Sequence, residues 1–221
     1  MREVAPEVHQ LAGFPPNAIN VYLAGDVLID AGTRLARRRI MRELRRRALS
    51  AHALTHAHPD HQGASRAVCV AYGVGLACGA ADAAAVEDPR LITAGLGSPA
   101  MRAVQSWAAG PPQRVSRALR EGEHVADFEV IDTPGHSAGH VAYFRARDRT
   151  LIIGDVLTNV DLRTGVPGLH EPPAQFTRDP ARNRASARRL AELRPAVVLF
   201  GHGAPLRDPG RFADFIAALP A

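Results

Sequence analysis

Apolar segments alternate with polar or glycine-rich connections along most of this chain. Some are short runs of strand length, and in others the apolar residues recur at helical spacing. Residues 19–23 and 27–30 are apolar runs of strand length on either side of Gly25 and Asp26, which predicts a β-hairpin. Similar short runs predict further strands at residues 51–55, 74–78, 128–133, 140–144, 151–154 and 196–200. Apolar positions at helical spacing predict helices at residues 33–48, 62–72, 80–86, 99–108, 179–193 and 209–219. This alternation of strands and helices predicts a fold of the α/β class.

Two segments interrupt this regular pattern. Residues 88–112 contain several glycines and prolines around one predicted helix, and we interpret them as an insertion or lid. Residues 156–177 are predicted to form a long loop. The length of 221 residues fits one α/β domain over residues 1–221 better than two small ones.

Composition narrows the class of protein without identifying a function. The chain is 46% hydrophobic, 22% charged and 5% aromatic, which is typical of a globular protein. No apolar run reaches the length of a membrane span, and the acidic residues and early proline at the N-terminus do not resemble a secretory signal. We therefore expect a cytoplasmic protein without a membrane partner. Cys69 and Cys78 lie in Ala/Val-rich surroundings, which predicts buried free thiols.

All basic side chains apart from the histidines are arginines, and many of them are concentrated in one stretch. The formal net charge is only +5, so the pI of about 10.2 exaggerates the basicity. The cluster consists of Arg34, Arg37, Arg38, Arg39, Arg42, Arg45, Arg46 and Arg47. Such a cluster could bind phosphates, but apolar residues recur within it at near-helical spacing. We favour the interpretation as the solvated face of a helix.

The most informative pattern is a group of potential metal ligands that begins with His56, His58, Asp60 and His61. Alternate residues of an extended chain point the same way, so His56 and His58 can converge on one ion. A turn at Pro59 lets Asp60 and His61 face a second ion. Three further candidates lie far downstream, at the ends of predicted strands: His136, Asp155 and His202. The pattern predicts a site for two metal ions.

The motifs around these residues closely resemble the signature of the metallo-β-lactamase superfamily, and the resemblance covers nearly the whole chain. They are the His-x-His-x-Asp-His stretch, Thr133-Pro134-Gly135-His136, Gly154-Asp155 and Gly201-His202. The resemblance implies a four-layer αβ/βα sandwich with the metals at one edge between the sheets. It also implies a first metal held by His56, His58 and His136, a second held by Asp60, His61 and His202, and Asp155 bridging them.

This resemblance implies a hydrolase with two divalent metal ions, for which we expect Zn²⁺, while Fe and Mn remain compatible with the ligand types. Two metals supply hydroxide at neutral pH and polarise a carbonyl. Asp60 would orient the hydroxide and carry its proton. Asp30 resembles a recurrent early Asp of the superfamily that orients a ligand histidine, although a turn-capping role is equally compatible.

The aspartate at position 155 resembles the glyoxalase II and lactonase branches, whereas zinc β-lactamases with a cysteine there are not matched. Only 19 residues follow His202, too few for the C-terminal helical substrate domain of full-length glyoxalase II. We expect hydrolysis of a small-molecule thioester, with residues 88–112 and 156–177 as the walls of the substrate pocket. His170, in the second of these segments, is the candidate substrate contact, and His140 is a candidate hydrogen-bonding partner near the metals.

Four alternatives remain open. Lactone hydrolysis is the nearest, and an iron-dependent persulfide dioxygenase of the same superfamily would use similar ligands. A metal-dependent nuclease would use the arginine cluster, but the chain shows no basic motif interleaved with aromatic residues, so a nucleic-acid partner is disfavoured. A metal-free binding protein is the last alternative. The sequence does not determine the oligomeric state.

Overall fold

The computed structural model describes residues 1–93 and 98–220, and its central feature is a pair of facing β-sheets. The first sheet has seven strands in chain order: β1 (Arg2–Ala5), β2 (Val8–Gln10), β3 (Tyr22–Ala24), β4 (Val27–Ile29), β5 (Ala51–Ala53), β6 (Leu76–Gly79) and β7 (Val115–Leu119). Strands β1 to β4 pair antiparallel, and the predicted hairpin is β3–β4. Strands β4 to β7 pair parallel, with helices in the crossovers.

The second sheet contains five strands, and a two-stranded ribbon lies outside both sheets. The remaining strands are β8 (His124–Val125), β9 (Phe128–Asp132), β10 (Val141–Arg145), β11 (Thr150–Gly154), β12 (Thr158–Val160), β13 (Pro167–His170) and β14 (Val197–Phe200). The order in the second sheet is β14-β11-β10-β9-β8, in which only the β11–β14 pair is parallel. Strands β12 and β13 form the ribbon.

In the described part of the chain, eight α-helices lie between or after these strands. They are α1 (Arg37–Leu44), α2 (Pro59–Gln62), α3 (Ser65–Tyr72), α4 (Ala83–Glu87), α5 (Arg90–Thr93), α6 (Pro99–Ala108), α7 (Pro180–Glu192) and α8 (Pro209–Ala217). The carboxylates of Asp179 and Asp208 accept hydrogen bonds from backbone N–H groups in the first turns of α7 and α8. Each of these helices begins with a proline, which has no N–H to leave unsatisfied. None of the described helices has the length and apolar character that crossing a bilayer requires.

Alternating side chains of the strands divide the interior into layers. One core lies between the two sheets and includes Tyr22, Phe128 and Tyr143. A second core packs α1 and α3 against the outer face of the seven-stranded sheet, and a third packs α7 and α8 against the five-stranded sheet. The order is therefore helix, sheet, sheet, helix, which confirms the expected four-layer αβ/βα sandwich. Cys69 and Cys78 are buried and unbonded as predicted, and burial raises the pKa of their thiols to about 11 and about 12.

The predicted helix over residues 33–48 was too long. A 3₁₀ turn at Arg34–Ala36 precedes α1, which ends at Leu44, and Thr33 makes no capping hydrogen bond through its side chain. Arginines at positions 38, 42 and 46 are spaced four residues apart, and like charges at this spacing destabilise a helix. The apolar pattern identified the buried side correctly, because Ile40 and Leu44 are fully buried.

The structure also contains strands that the sequence pattern did not predict. Strands β1, β2 and β7 extend the first sheet, and the expected loop 156–177 contains the β12–β13 ribbon. Strands β2, β12 and β13 are only three or four residues long and depend on pairing with a neighbour, which a local pattern cannot reveal. In segment 88–112 the predicted helix is present as α6. Residues 94–97 of that segment lie outside the described residues.

Candidate metal centre

The seven residues predicted as metal ligands lie on four loops that leave the ends of strands at one edge of the sandwich. The loop after β5 carries His56, His58, Asp60 and His61, with the last two in the short helix α2. His136 lies between β9 and β10, Asp155 directly follows β11, and His202 follows β14. The interpretation of the histidine cluster as a strand-to-helix connection is therefore confirmed.

Potential ligand atoms form three overlapping groups within which they lie no more than 4.8 Å apart. The groups are His56 with His58 and His136, Asp60 with His61 and His202, and His56 with His61 and Asp155. The first two groups are the two ligand sets that the family resemblance implied. The third group joins them through Asp155, which is 4% exposed and lies between the two sets.

One carboxylate oxygen occupies the middle of this arrangement. Asp155 Oδ2 is 3.5 Å from His61 Nε2 and 3.2 Å from His202 Nε2. It is also 3.6 Å from His136 Nε2 and 4.0 Å from His56 Nε2. A carboxylate within 4.0 Å of imidazole nitrogens from both sets can serve two cations at once.

Several buried polar atoms at this centre have no hydrogen-bond partner within the described part of the chain. They include the Nε2 atoms of His56, His61 and His136 and Oδ1 of Asp155. Buried polar atoms are almost always satisfied, so unpaired nitrogen and oxygen atoms converging on one point require a ligand. Imidazole nitrogens and carboxylate oxygens are ligands for Zn²⁺ and other divalent transition metals. The residues present therefore fit two divalent cations.

The other ring nitrogen, Nδ1, is occupied in four of the five ligand histidines. His61 Nδ1 lies 2.9 Å from Asp30 Oδ2, which confirms the predicted orienting contact of Asp30. The remaining Nδ1 contacts are His56 with Thr55 Oγ1 at 3.0 Å, His136 with Thr177 Oγ1 at 3.2 Å, and His202 with the carbonyl oxygen of Ala18. These contacts fix the rings so that Nε2 faces the centre.

Asp82 was not predicted from the sequence, yet it links two of the ligand loops. It is 3% exposed and accepts hydrogen bonds from the backbone N–H of Ala57 at 3.0 Å and of Gly139 at 2.7 Å. The hydroxyl of Ser137 donates a third at 2.6 Å. Asp82 thereby fixes the loop of His56 and His58 relative to that of His136. A single carboxylate in the alanine-rich stretch 80–86 was the available signal.

His140 lies behind the centre, as expected from the sequence. Its Nε2 accepts a hydrogen bond from the backbone N–H of Asp155 at 3.1 Å, and its Nδ1 lies 2.7 Å from Thr133 Oγ1. Burial lowers the pKa of His140 to about 3, so the ring is neutral and Nδ1 carries the proton. A neutral His140 therefore positions the backbone of Asp155.

Burial and mutual proximity divide the ligands by charge in the metal-free protein. Burial, together with neighbouring histidines, lowers the pKa of His56 and His136 well below the usual value, so both are neutral. Burial also disfavours the charged form of His61 and His202, but nearby carboxylates outweigh it and raise both pKa values, that of His202 to about 10. These two histidines hold the pKa of Asp155 well below its usual range. The carboxylates therefore favour the protonated forms of His61 and His202, and these histidines favour the ionised form of Asp155.

A cavity of about 720 Å³ opens onto the centre. Five expected ligands line it, namely His58, Asp60, His136, Asp155 and His202. Residues of segment 88–112, including Leu91, Ile92 and Ala108, form part of its wall, and Leu162 and Phe176 of segment 156–177 form another part. Both segments thus line the cavity, as predicted. The volume suits a small molecule.

His170 lies elsewhere. It belongs to β13 and lines two neighbouring cavities of about 690 and 250 Å³, and it is not among the residues that line the metal-side cavity. Its Nε2 is buried and has no hydrogen-bond partner among the described residues. A contact between His170 and substrate stays a prediction, to be tested by substrate kinetics of a His170→Ala variant with unchanged metal content.

The four-layer fold and the cluster of potential metal ligands are typical of a class of metal-dependent enzymes, and the sequence comparison supports this class. The sequence profile of the metallo-beta-lactamase superfamily matches residues 14–202. The chain belongs to this superfamily.

Individual relatives are metallo-hydrolases. The probable metallo-hydrolase YflN of Bacillus subtilis is 28% identical over an alignment of 228 positions, gaps included, that covers 92% of this chain and 86% of the relative. A hydroxyacylglutathione hydrolase of Acidiphilium cryptum is 33% identical over 164 residues, covering 74% of this chain but only 54% of that enzyme. Among solved structures, TTHA1623 in a di-iron-bound form is 30% identical, with a TM-score of 0.66 and coverage of 89% of this chain and 92% of that one.

Proposed function

We propose that this protein is a dinuclear metal-dependent hydrolase that cleaves a carbonyl ester-type bond, and that its substrate is a small-molecule thioester. The observation that carries this proposal is the position of Asp155 Oδ2 within 4.0 Å of imidazole Nε2 atoms from both ligand sets. A lone metal would not need a carboxylate placed between two sets of ligands. In this proposal one ion is held by His56, His58 and His136, and the other by Asp60, His61 and His202.

Zn²⁺ is the proposed metal, because three imidazoles with carboxylate oxygens form a ligand set typical of catalytic zinc. The di-iron-bound form of a related structure supports iron as the main competitor. When bound, two divalent ions would lower the pKa of water towards ~7 and would polarise a carbonyl oxygen. The hydrolysis adds water across the acyl bond, releasing a carboxylic acid and a thiol.

The residues of the chain hold the reactants and move the proton. Asp60 is the one carboxylate ligand whose side chain is substantially exposed, at 33%, and its Oδ2 lies 3.3 Å from His202 Nε2. We assign Asp60 Oδ2 as the atom that takes the proton from the attacking water and passes it to the leaving thiolate. The apolar walls around Leu91, Ile92 and Phe176 exclude water from the acyl group.

Support for a thioester comes from the carboxylate at position 155 together with the similarity to a hydroxyacylglutathione hydrolase. That match covers about half of the enzyme, so the glutathione part of its substrate does not transfer to this chain. A neutral apolar cavity wall suits the acyl part of a thioester, and it suits a lactone as well. The thioester is therefore tested against the lactone directly.

The test combines metal analysis with a substrate panel. Purified protein is expected to contain close to two metal ions per chain and to hydrolyse thioesters faster than lactones, phosphodiesters and a β-lactam. His58→Ala should abolish turnover and reduce bound metal, whereas His124→Ala should keep both, because His124 is exposed and lies outside all three ligand groups. One tightly bound iron with oxygen uptake driven by a persulfide would overturn the hydrolase proposal, and a metal content near zero after chelator-free purification would favour a binding protein.

A further inference from the structure

The exposed arginines of residues 34–47, here named the arginine face, have no role in the proposed reaction. The arginine face consists of Arg34, Arg37, Arg38, Arg42, Arg45, Arg46 and Arg47, all of which are exposed. Glu43 is the only acidic residue in this stretch, and its carboxylate pairs with the N-terminal amine at 2.7 Å. Among the described residues, the guanidinium groups from Arg37 onwards in this set have no hydrogen bond or ion pair. The positive charge of the arginine face is therefore available to an external anion.

The arginine face begins at the wall of the metal-side cavity. Thr33 lines the cavity, and the Arg34 guanidinium lies over the ring of Trp107, 4.9 Å from its centre. Trp107 belongs to α6 and lies next to Ala108, which lines the cavity together with Gln105 of the same helix. The eight residues of α1 extend the arginine face by about 12 Å along the molecular surface.

Backbone packing fixes this junction. A Cβ atom on Gly63 would lie 2.3 Å from the backbone nitrogen of Arg34 and 2.6 Å from the carbonyl oxygen of Ala108. The 3₁₀ turn before α1, the turn between α2 and α3, and the end of α6 are therefore in direct backbone contact. The position of Arg34 relative to the cavity is set by this contact rather than by a flexible connection.

The charges inside the cavity differ from those of the arginine face. Asp60, Asp82 and Asp155 line the cavity, and apart from histidines its only basic lining residue within the described ranges is Arg178. An acyl group suits the apolar wall, whereas a strongly anionic group suits the surface outside the rim. A substrate that uses both surfaces has an uncharged acyl end, a linker and an anionic end.

We propose that the natural substrate is a thioester whose thiol portion carries phosphate groups, and that the arginine face binds these phosphates while the acyl group occupies the cavity. This inference rests on the proposed thioesterase function. Guanidinium groups bind phosphate oxygens through charge-assisted hydrogen bonds. Trp107, which is 50% exposed, supplies a ring at the rim on which a nucleobase can stack.

Two substrates with the same acyl group and the same thiol arm separate the phosphate contribution from the chemistry. Butyryl-coenzyme A carries the phosphates, and butyryl-pantetheine lacks them. We expect kcat/KM to be about tenfold or more higher for butyryl-coenzyme A, the equivalent of about 1.4 kcal/mol, and this preference to shrink at high salt. The Arg37→Gln/Arg38→Gln double variant should lose most of the preference.

The control is a double variant with the same change in net charge away from the cavity, Arg120→Gln/Arg194→Gln. Both arginines are exposed, and neither lines the metal-side cavity. This control should keep the wild-type preference, so a loss confined to the Arg37/Arg38 variant indicates a local site. An equal loss of the preference in both variants would mean that the preference depends only on the overall charge of the protein, and it would overturn the proposal.

Binding can be measured independently of hydrolysis, because Trp107 is the only tryptophan of the chain and reports on the rim. Free coenzyme A should change its fluorescence with a dissociation constant that rises about tenfold or more in the Arg37/Arg38 variant. If no thioester is hydrolysed but this binding persists, the proposed reaction fails and the phosphate site stands. If thioesters are hydrolysed without preference and coenzyme A does not bind, or an RNA oligonucleotide binds in its place, the phosphate-bearing substrate is refuted.

Discussion

Replacing Asp82 with alanine should weaken both the fold and metal binding, although Asp82 is not one of the expected ligands. Its carboxylate receives two backbone hydrogen bonds, from Ala57 and Gly139, and one from the hydroxyl of Ser137. The alanine variant would leave the two N–H groups without an acceptor. A Cβ on Gly139 would lie 2.3 Å from the backbone nitrogen of Asp82, so the two loops are too closely packed to rearrange freely.

The magnitude follows from the number of groups left unsatisfied. Each buried N–H without a partner costs roughly 1–3 kcal/mol, and the half-buried hydroxyl of Ser137 can turn to water. Removal of the buried charge offsets part of this loss, so the free energy of unfolding should fall by about 3 kcal/mol. Because the loops of His58 and His136 lose their common anchor, metal affinity should fall by about 10- to 100-fold.

The assay is urea unfolding of the metal-free protein together with a zinc titration using a competing chelator. Asp82→Asn keeps one acceptor oxygen and should lie between wild type and Asp82→Ala. Asp88→Ala is the control, since Asp88 is on the surface and its carboxylate is bonded to the side chain and the backbone N–H of Arg90, so its unfolding midpoint should move much less than that of Asp82→Ala. If Asp82→Ala and Asp88→Ala unfold at the same urea concentration and bind zinc equally, Asp82 does not position the ligand loops.

Three further predictions concern the centre itself. Asp155→Ala should abolish turnover and reduce bound metal from two ions towards one, measured by elemental analysis; full activity would remove Asp155 from its proposed role. Gly201→Ala should lose metal and activity, because a Cβ there would lie 2.1 Å from Asp155 Oδ1, whereas Gly210→Ala meets nothing nearer than 3.4 Å and should retain both. Zinc affinity should rise with pH, because nearby carboxylates raise the pKa values of His61 and His202 and their protons must leave before Nε2 can bind metal. Calorimetry in buffers of different ionisation enthalpy should detect the released protons, and an affinity independent of pH from 6 to 9 would contradict this assignment.

The candidate metal ligands, which the structure brings together, could be identified from the sequence because their chemistry is visible one residue at a time. His56, His58 and Asp60 stand out as residue types at a spacing that few other functions require, and a predicted strand end before them fixes their place in the fold. Asp30 was identified through the family resemblance. Apolar periodicity predicted many of the strands and helices and the α/β class, because it depends on the side chains that build the cores. The four-layer order of the sandwich came from the family resemblance.

The residues that hold the ligands in place were less visible, because their roles exist only between distant segments. Asp82 acts through the backbone of Ala57 and Gly139, and backbone donors have no signature in a sequence. Thr177 contacts His136 from a segment predicted as a long loop. The residues of the arginine face were evident from the sequence, but its position was not. That position depends on the contact of Gly63 with Arg34 and α6. The helical pattern alone identifies this arginine cluster as a solvated surface. It becomes a candidate substrate contact because the fold places Thr33, directly before the cluster, in the wall of the metal-side cavity.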